Sequence, residues 1–291
     1  MDTLNVLFIG DIVGRTGRKA LKNFLPFIKK NFDINFVIAN IENAAHGNGI
    51  TEKIYNEIVS IGVNCLTSGN HIWNKKEILK WIDTKSDILR PLNYPPSVPG
   101  KGFAKFNIYG IELYVVNLMG RVFMNPLDCP FRKLDEILKE IKLPIIVDFH
   151  AEATSEKIAF GYYADGKVSA VIGTHTHVQT ADNILLPKGT GYISDVGMAG
   201  SFNSIIGGEK EPIIKRYLTG IPYHFEPAKE DEGLDACIIE IRRDNFLCND
   251  IKRLQIRKIK GDYFLKIENA SCNFKVLKLN LEEDKNEDNK I

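Results

Sequence analysis

Short apolar runs that each end in a turn and give way to a helical pattern constrain this chain more than any other feature. Residues 5–9 read NVLFI and stop at Gly10-Asp11, residues 34–41 stop at Glu42-Asn43, and residues 63–66 stop shortly before Gly69-Asn70-His71. Helical patterns lie between them. Thr16 predicts an N-cap for a helix through about residue 25, where Pro26 should break or kink it, because proline lacks the N–H and clashes one turn back. Thr51 starts a second helix with Ile54 and Ile58 on one face and Gly62 closing it. Asn74, with Glu77 three residues on, predicts a capping box for a helix through residue 82. Buried strands that alternate with helices pair in parallel through right-handed crossovers, so the fold class is α/β. Ligands of such sheets bind beyond the carboxyl ends of the strands, which is where Asp11, Glu42-Asn43 and Asn70-His71 fall.

The later chain changes character. Residues 91–102 are rich in Pro and Gly and read as a loop, and residues 104–107 and 111–117 flank Tyr109-Gly110 as a hairpin. A helix over residues 132–141 precedes a buried run, 144–149, that delivers His150. Another run, 168–172, delivers Gly173-Thr174-His175-Thr176-His177, and further strands are expected at 191–194 and 235–242. Residues 263–267 and 274–279 suit a small hairpin. Residues 282–291, EEDKNEDNKI, hold five acids and two lysines, too little apolar surface to offset ordering entropy, and are expected to form a disordered tail. The expected division is one domain over residues 1–260, a hairpin extension over 261–281 and the tail over 282–291.

Composition narrows the partners. Lys plus Arg is 38 against 37 for Asp plus Glu, a net charge of +1, which gives no surface for tracking nucleic-acid phosphates and predicts no stable nucleic-acid partner. A small anionic substrate remains open, because a bound metal brings its own positive field. The five cysteines, Cys65, Cys129, Cys237, Cys248 and Cys272, include no Cys-x-x-Cys pair, which argues against a disulfide framework or a thiolate zinc site and suits a reducing compartment. The start, Met1-Asp2-Thr3-Leu4-Asn5, lacks signal-peptide character, and no apolar stretch approaches the roughly 20 residues of a membrane span. The expected location is cytoplasmic.

Four of the six histidines sit in the three loops already named. Residues i and i+2 of an extended segment point the same way, so His175 and His177 could reach one site, and Gly173 just ahead permits an abrupt bend. Taken singly, Asp11 suits an Asx-turn, Asn43 and Asn70-His71 suit turns, and His150 suits a satisfied core histidine. Glu42 is harder to dismiss, since a carboxylate at the end of a buried strand must be solvated, paired or metal-bound. All of these groups at one sheet edge offer enough nitrogen and oxygen donors, without sulfur, for two metal ions. Such a pair needs a bridging carboxylate and suits phosphoester hydrolysis, with a nearby histidine to protonate the leaving alkoxide.

The segments GDIVG at 10–14, IEN at 41–43, GNH at 69–71, DFHAE at 148–152 and GTHTH at 173–177, in this order, resemble the calcineurin-like metallophosphoesterases. More narrowly they are similar to the YmdB-type bacterial branch of cyclic-nucleotide phosphodiesterases, over the chain up to roughly residue 258, with Asn43-Ala44-Ala45, Gly47-x-Gly49-Ile50-Thr51 and Asp195-Val196-Gly197-Met198 included. The resemblance implies a four-layer α/β/β/α sandwich of two mixed sheets. It implies one metal held by Asp11, Glu42, Asn43 and His177, and another by Glu42, Asn70, His150 and His175, with Glu42 bridging. It makes His71 the proton donor and a metal-bound water or hydroxide the nucleophile. Two departures from the wider superfamily mark the branch: Ile12-Val13 replaces the usual x-His after the first aspartate, and Glu42 stands where Asp is the common bridge. A third leaves the partner of His71 unassigned, because Ile72 and Trp73 follow it in place of a carboxylate.

Nitrogen and oxygen donors suit iron or manganese, magnesium less, with zinc open; the resemblance favours two iron ions, manganese substituting. The expected substrates are 2′,3′-cyclic nucleotides, with 3′,5′-cyclic ones as a further option. The rivals are a phosphomonoesterase or nuclease using the same metals, and a regulatory scaffold that binds nucleotide with little turnover. Homo-oligomers are expected from the branch, and substrate choice from loops 93–101 and 119–132.

Overall fold

The apolar runs become the central strands of two sheets. A computed structural model describes residues 3–279. Its first part runs β1 (Thr3–Ile9), the two-residue β2 (Asp11–Ile12), α1 (Gly14–Asn31), β3 (Phe36–Asn40), α2 (Glu52–Ile61) and β4 (Cys65–Thr67). The middle holds β5 (Phe103–Ile108), β6 (Ile111–Met119), α3 (Pro130–Ile137), β7 (Ile145–His150), α4 (Thr154–Ala164), β8 (Ala170–Thr174), β9 (Ile184–Leu185) and β10 (Gly191–Ile193). The last part holds β11 (Met198–Ser201), α5 (Lys210–Thr219), β12 (Glu232–Arg242), β13 (Cys248–Ile259), β14 (Asp262–Glu268) and β15 (Phe274–Leu279).

Strands β1, β3 and β4 are parallel neighbours, and β12 runs antiparallel beside β1 in the register Thr3↔Arg242 to Ile9↔Ala236. From β12 the first sheet continues antiparallel through β13, β14 and β15, so the expected hairpin is present as its far edge, while β11 joins β12 to β2. The second sheet runs β5-β6-β7-β8-β10-β9, parallel from β6 to β10 and antiparallel at both edges. Both sheets are mixed.

Strand alternation sorts the side chains into three cores. Val6, Phe8 and Ile38 of the first sheet meet Val115, Ile146 and Ile172 of the second between the sheets. On the outer face of the first sheet, Leu7, Val37 and Ala39 lie under Leu21 and Phe24 of α1 and Ile54 and Ile58 of α2. Outside the second sheet, Val147, Phe149 and Val171 lie under Leu134 of α3 and Phe160 of α4, with the Phe149 and Phe160 rings stacked at 4.1 Å. The layers are therefore helix, sheet, sheet, helix. Burying each large apolar side chain contributes about 1.5–3 kcal/mol, so the three cores fix the alignment of the sheets.

Several local expectations are corrected. Helix α1 runs from Gly14 through Pro26 to Asn31, and Thr16 lies inside it, its hydroxyl donating to the Ala228 carbonyl at 2.7 Å. Pro26 sits on the exposed face, while Ala20, Leu21, Phe24 and Ile28 hold the buried stripe. The capping box at Asn74 does not form: short 3₁₀ turns at Lys76–Lys80 and Ile82–Thr84 replace the helix. Asn74 turns to His71 instead, and Glu77 accepts the Glu52 N–H at the start of α2. Helix α3 begins two residues early, with Pro130 in its first turn, and ends at Ile137 rather than residue 141. The expectations for α2 hold, since Thr51 accepts the Ile54 N–H at 3.3 Å and Gly62 closes the helix in the left-handed region.

All five cysteines are free, and only Cys272 is exposed. Among the described residues no helix is long and apolar enough to cross a membrane. The tail expected over residues 282–291 lies outside the described residues.

Candidate metal centre

The carboxyl ends of β1, β3 and β4 in one sheet and of β7 and β8 in the other open onto the same edge, and their loops face one another. Strand β7 is buried along its whole length and ends at His150. Gly69 makes close approach possible, for a Cβ there would lie 2.1 Å from the His150 ring and 2.5 Å from Glu42 Oε2. Gly173 has a different role from the one expected. It lies within β8, where a Cβ would meet the Ser194 carbonyl oxygen at 1.7 Å, so it serves the approach of the next strand, not a bend.

Two groups of donors converge here. In one, His150 Nε2 lies 3.1 Å from Glu42 Oε1, 3.0 Å from Asn70 Oδ1 and 3.0 Å from His175 Nδ1. In the other, His177 Nε2 lies 3.7 Å from Asp11 Oδ1 and 3.1 Å from the Asn43 amide, which is 3.5 Å from both Asp11 Oδ1 and Glu42 Oε1. Asn43 has its amide nitrogen inward; a half-turn of the amide presents its oxygen. Glu42 Oε1 is the atom the groups share, while Oε2 accepts the His71 N–H at 2.9 Å.

Three imidazoles direct their outer nitrogens away from this centre. His150 Nδ1 meets Thr174 Oγ1 at 2.9 Å, and that hydroxyl donates to Asp148 Oδ1 at 2.7 Å. His175 Nε2 meets Glu152 Oε2 at 3.1 Å, and His177 Nδ1 meets the Ile206 carbonyl at 2.8 Å. Each outer nitrogen therefore has an oxygen partner, and with the proton on that side the inward nitrogen offers a lone pair beside carboxylate and amide oxygens. Converging lone pairs repel unless a cation lies among them, so the donor set fits divalent metal.

The electrostatics agree. Burial resists charge on Glu42, but the facing His150 holds its carboxyl down to about 2. Burial likewise opposes charge on His150, and Glu42 outweighs it, raising the imidazole to about 9. Without a cation, a proton thus occupies the place between them. Burial and then the His150 charge push His175 down to about 3, so its inward nitrogen is a lone pair. Burial raises Asp11, and raises Asp148 to about 7.

His175 and His177 are not on an extended segment. Their φ angles are +107° and +64°, and the rings diverge, His175 to the His150 group and His177 to the Asp11 group. The i, i+2 argument fails because the strand ends at Thr174. His71 stands outside both groups. Its Nδ1 lies 3.0 Å from the Asn74 amide, which supplies the partner that the sequence left unassigned.

Residues 7–254 match the model of the YmdB-like protein family. The chain belongs to that family. Among the relatives of this YmdB-like chain, the 2′,3′-cyclic-nucleotide 2′-phosphodiesterase of Bacillus subtilis is 49% identical over 256 residues, 87% of this chain and 97% of that one. A putative phosphatase/phosphodiesterase of Mycoplasma genitalium is 37% identical over 92% of this chain and 100% of its own. Two crystal structures share the fold. A hypothetical protein of Thermus thermophilus has TM-score 0.83 and 44% identity, covering 87% of this chain and 99% of its own. A Mycoplasma pneumoniae protein described as a novel phosphatase has TM-score 0.85 and 37% identity, covering 88% and 94%.

The sequence reading of this YmdB-like site missed its supports. Asp148 and Glu152 flank His150 at two residues on either side and were visible in DFHAE. Thr174 lay within GTHTH, and Asn40 stood two residues before Glu42, where its amide now donates to Asp148 Oδ2 at 3.1 Å across the sheets. Only Asn74 carried a misleading signal, that of a helix cap.

Proposed function

We propose that this YmdB-like chain is a dinuclear-metal phosphodiesterase that opens 2′,3′-cyclic nucleoside monophosphates, with 3′,5′-cyclic nucleotides as weaker substrates. The observation that carries the reading is the convergence of two donor groups on the shared Glu42 Oε1, with the outer nitrogen of each imidazole set against an oxygen. The 49% identity to the Bacillus subtilis enzyme supports the substrate class.

Asp11, Glu42, Asn43 and His177 would hold one ion, and Glu42, Asn70, His150 and His175 the other. We assign iron, with manganese substituting, because imidazole and oxygen donors without thiolate suit both. Two such ions, when bound, lower the pKa of a coordinated water and neutralise charge on phosphoryl oxygens. The chain's own residues do the rest. Attack of water forms one P–O bond as the bond to O2′ breaks, and the departing O2′ takes a proton, leaving a 3′-monophosphate. His71 is placed to give that proton: it adjoins Asn70, and its backbone N–H is fixed on Glu42 Oε2 at 2.9 Å. The Asn74 amide steadies Nδ1, and with its oxygen turned inward it accepts the Nδ1–H of an imidazolium, leaving Nε2–H to donate. Loops 93–101 and 119–132 select the substrate, a reducing cytoplasm is the location that the free cysteines suit, and assembly into homo-oligomers follows the branch.

The test is a screen of the metal-reconstituted protein against 2′,3′- and 3′,5′-cyclic mononucleotides, linear diesters and monoesters. We expect 3′-monophosphates from the 2′,3′-cyclic substrates, with kcat/KM about tenfold or more above every other class. Faster monoester or linear-diester hydrolysis would overturn the substrate, and nucleotide binding without turnover would overturn the enzyme.

A further inference from the structure

One buried charged pair lies behind the centre and belongs to neither donor group. Lys157 of α4 and Asp195, in the turn after β10, meet at 2.7 Å with side chains 3% and 1% exposed. Asp195 spends both oxygens on more than the lysine. Its Oδ2 also accepts the Thr176 N–H at 3.0 Å, and its Oδ1 accepts the Gly197 N–H at 2.9 Å. Thr176 is the residue between His175 and His177, so this bond holds the middle of the histidine loop. Gly197 in turn accepts the Asp11 N–H on its carbonyl at 3.0 Å, so the second bond holds the backbone that carries Asp11.

We infer that Asp195, neutralised by Lys157, is the positioning residue that sets the spacing of the two metal sites. His175 faces one donor group, while His177 and Asp11 face the other; the carboxylate holds the Thr176 N–H between the two histidines directly and the Asp11 backbone through Gly197. The need for a fastening is visible in the loop itself. Both histidines have left-handed φ, +107° and +64°, a conformation that side-chain-bearing residues keep only when their surroundings impose it. A carboxylate suits the task better than an amide, since it has two acceptor oxygens for three donors. Lys157 suits it because burying an unpaired carboxylate this deep is costly.

The inference rests on the two-metal reading of the centre, and the experiment separates them. Manganese binding to the full-length chain is measured by calorimetric titration, alongside thermal unfolding of the metal-free protein, for the parent and for Asp195→Ala, Asp195→Asn and Asp165→Ala. Asp165 is another buried carboxylate that accepts the Lys188 N–H at 2.9 Å, remote from the histidine loop, and serves as the control for lost stability. The parent should bind two ions. Asp195→Ala should lose about tenfold or more in affinity at both sites, the usual cost of removing a group that orients ligands. Asp165→Ala should melt earlier with unchanged affinity. Asp195→Asn keeps the shape but has one acceptor oxygen, so it should loosen one site more than the other, and it decides the matter if Asp195→Ala does not fold. Parent-like affinity at both sites in Asp195→Asn or in folded Asp195→Ala would overturn the inference. A parent that binds fewer than two ions would overturn the reading beneath it, and the inference with it.

Discussion

In the proposed mechanism His71 and His150 stand at opposite ends of one chemical question, because one would move a proton and the other would hold a cation. His71→Ala should lower kcat by about 10²–10⁴, the usual contribution of a general acid, while two metals stay bound. A diester with a nitrophenyl leaving group needs less protonation and should lose less. His150→Ala should instead lose metal and recover activity in part with excess metal; metal loss in His71→Ala would make His71 a ligand. Thr174→Val removes the hydroxyl between His150 Nδ1 and Asp148 Oδ1, and should weaken metal binding by about 10–100-fold in a chelator competition. The shared proton gives a sign for pH. At pH 7 His150, raised to about 9 by Glu42, holds the proton that a cation must expel. Metal uptake should therefore release protons into weakly buffered solution and tighten as pH rises toward about 9; an affinity that is flat over that range contradicts the ion-paired state. At this scale the proposed ligands were legible because each lies at or just past a strand end. The partner of His71 was not, since Asn74 signals a cap equally well and only the tertiary fold chooses between them.

At the scale of elements, strands were easier to read than helix ends. Buried strands such as β7 announce themselves by unbroken hydrophobicity, and their ends locate the site. Helix starts depend on which of several polar groups wins the backbone. Thr51 wins at α2, and Thr51→Ala should cost about 1 kcal/mol in denaturant unfolding, as for other N-caps. Thr16 does not compete, because its hydroxyl is taken by the Ala228 carbonyl inside the helix. Pro26 looked like a terminator and is tolerated because it faces water while the buried stripe continues on both sides of it. Pro26→Ala restores an N–H there and should leave stability unchanged or raise it by about 1 kcal/mol; a clear loss would show that the proline shapes α1.

The whole molecule is two sheets whose opposed edges supply one centre. Asp11, Glu42, Asn43 and Asn70 come from the first, and His150, His175 and His177 from the second. The parallel portions were legible in the alternation of strand and helix. The antiparallel insertion of β12 beside β1 was not, since it pairs residues more than 220 positions apart and no local pattern encodes that partner. A centre shared between sheets would make a bound metal a structural tie as well as a reagent. Loading to about 100 times Kd should stabilise the fold by about 2.7 kcal/mol, visible as a higher Tm that chelator reverses. The central claim, two ions joined by Glu42, is tested most directly by counting metal in anaerobically reconstituted protein before and after Glu42→Gln. The account predicts close to two ions per chain in the parent, and a fall in both occupancy and turnover in the variant, whose neutral amide bridges two cations poorly; a parent that holds one tightly bound ion at saturation, or a variant that keeps two, contradicts it.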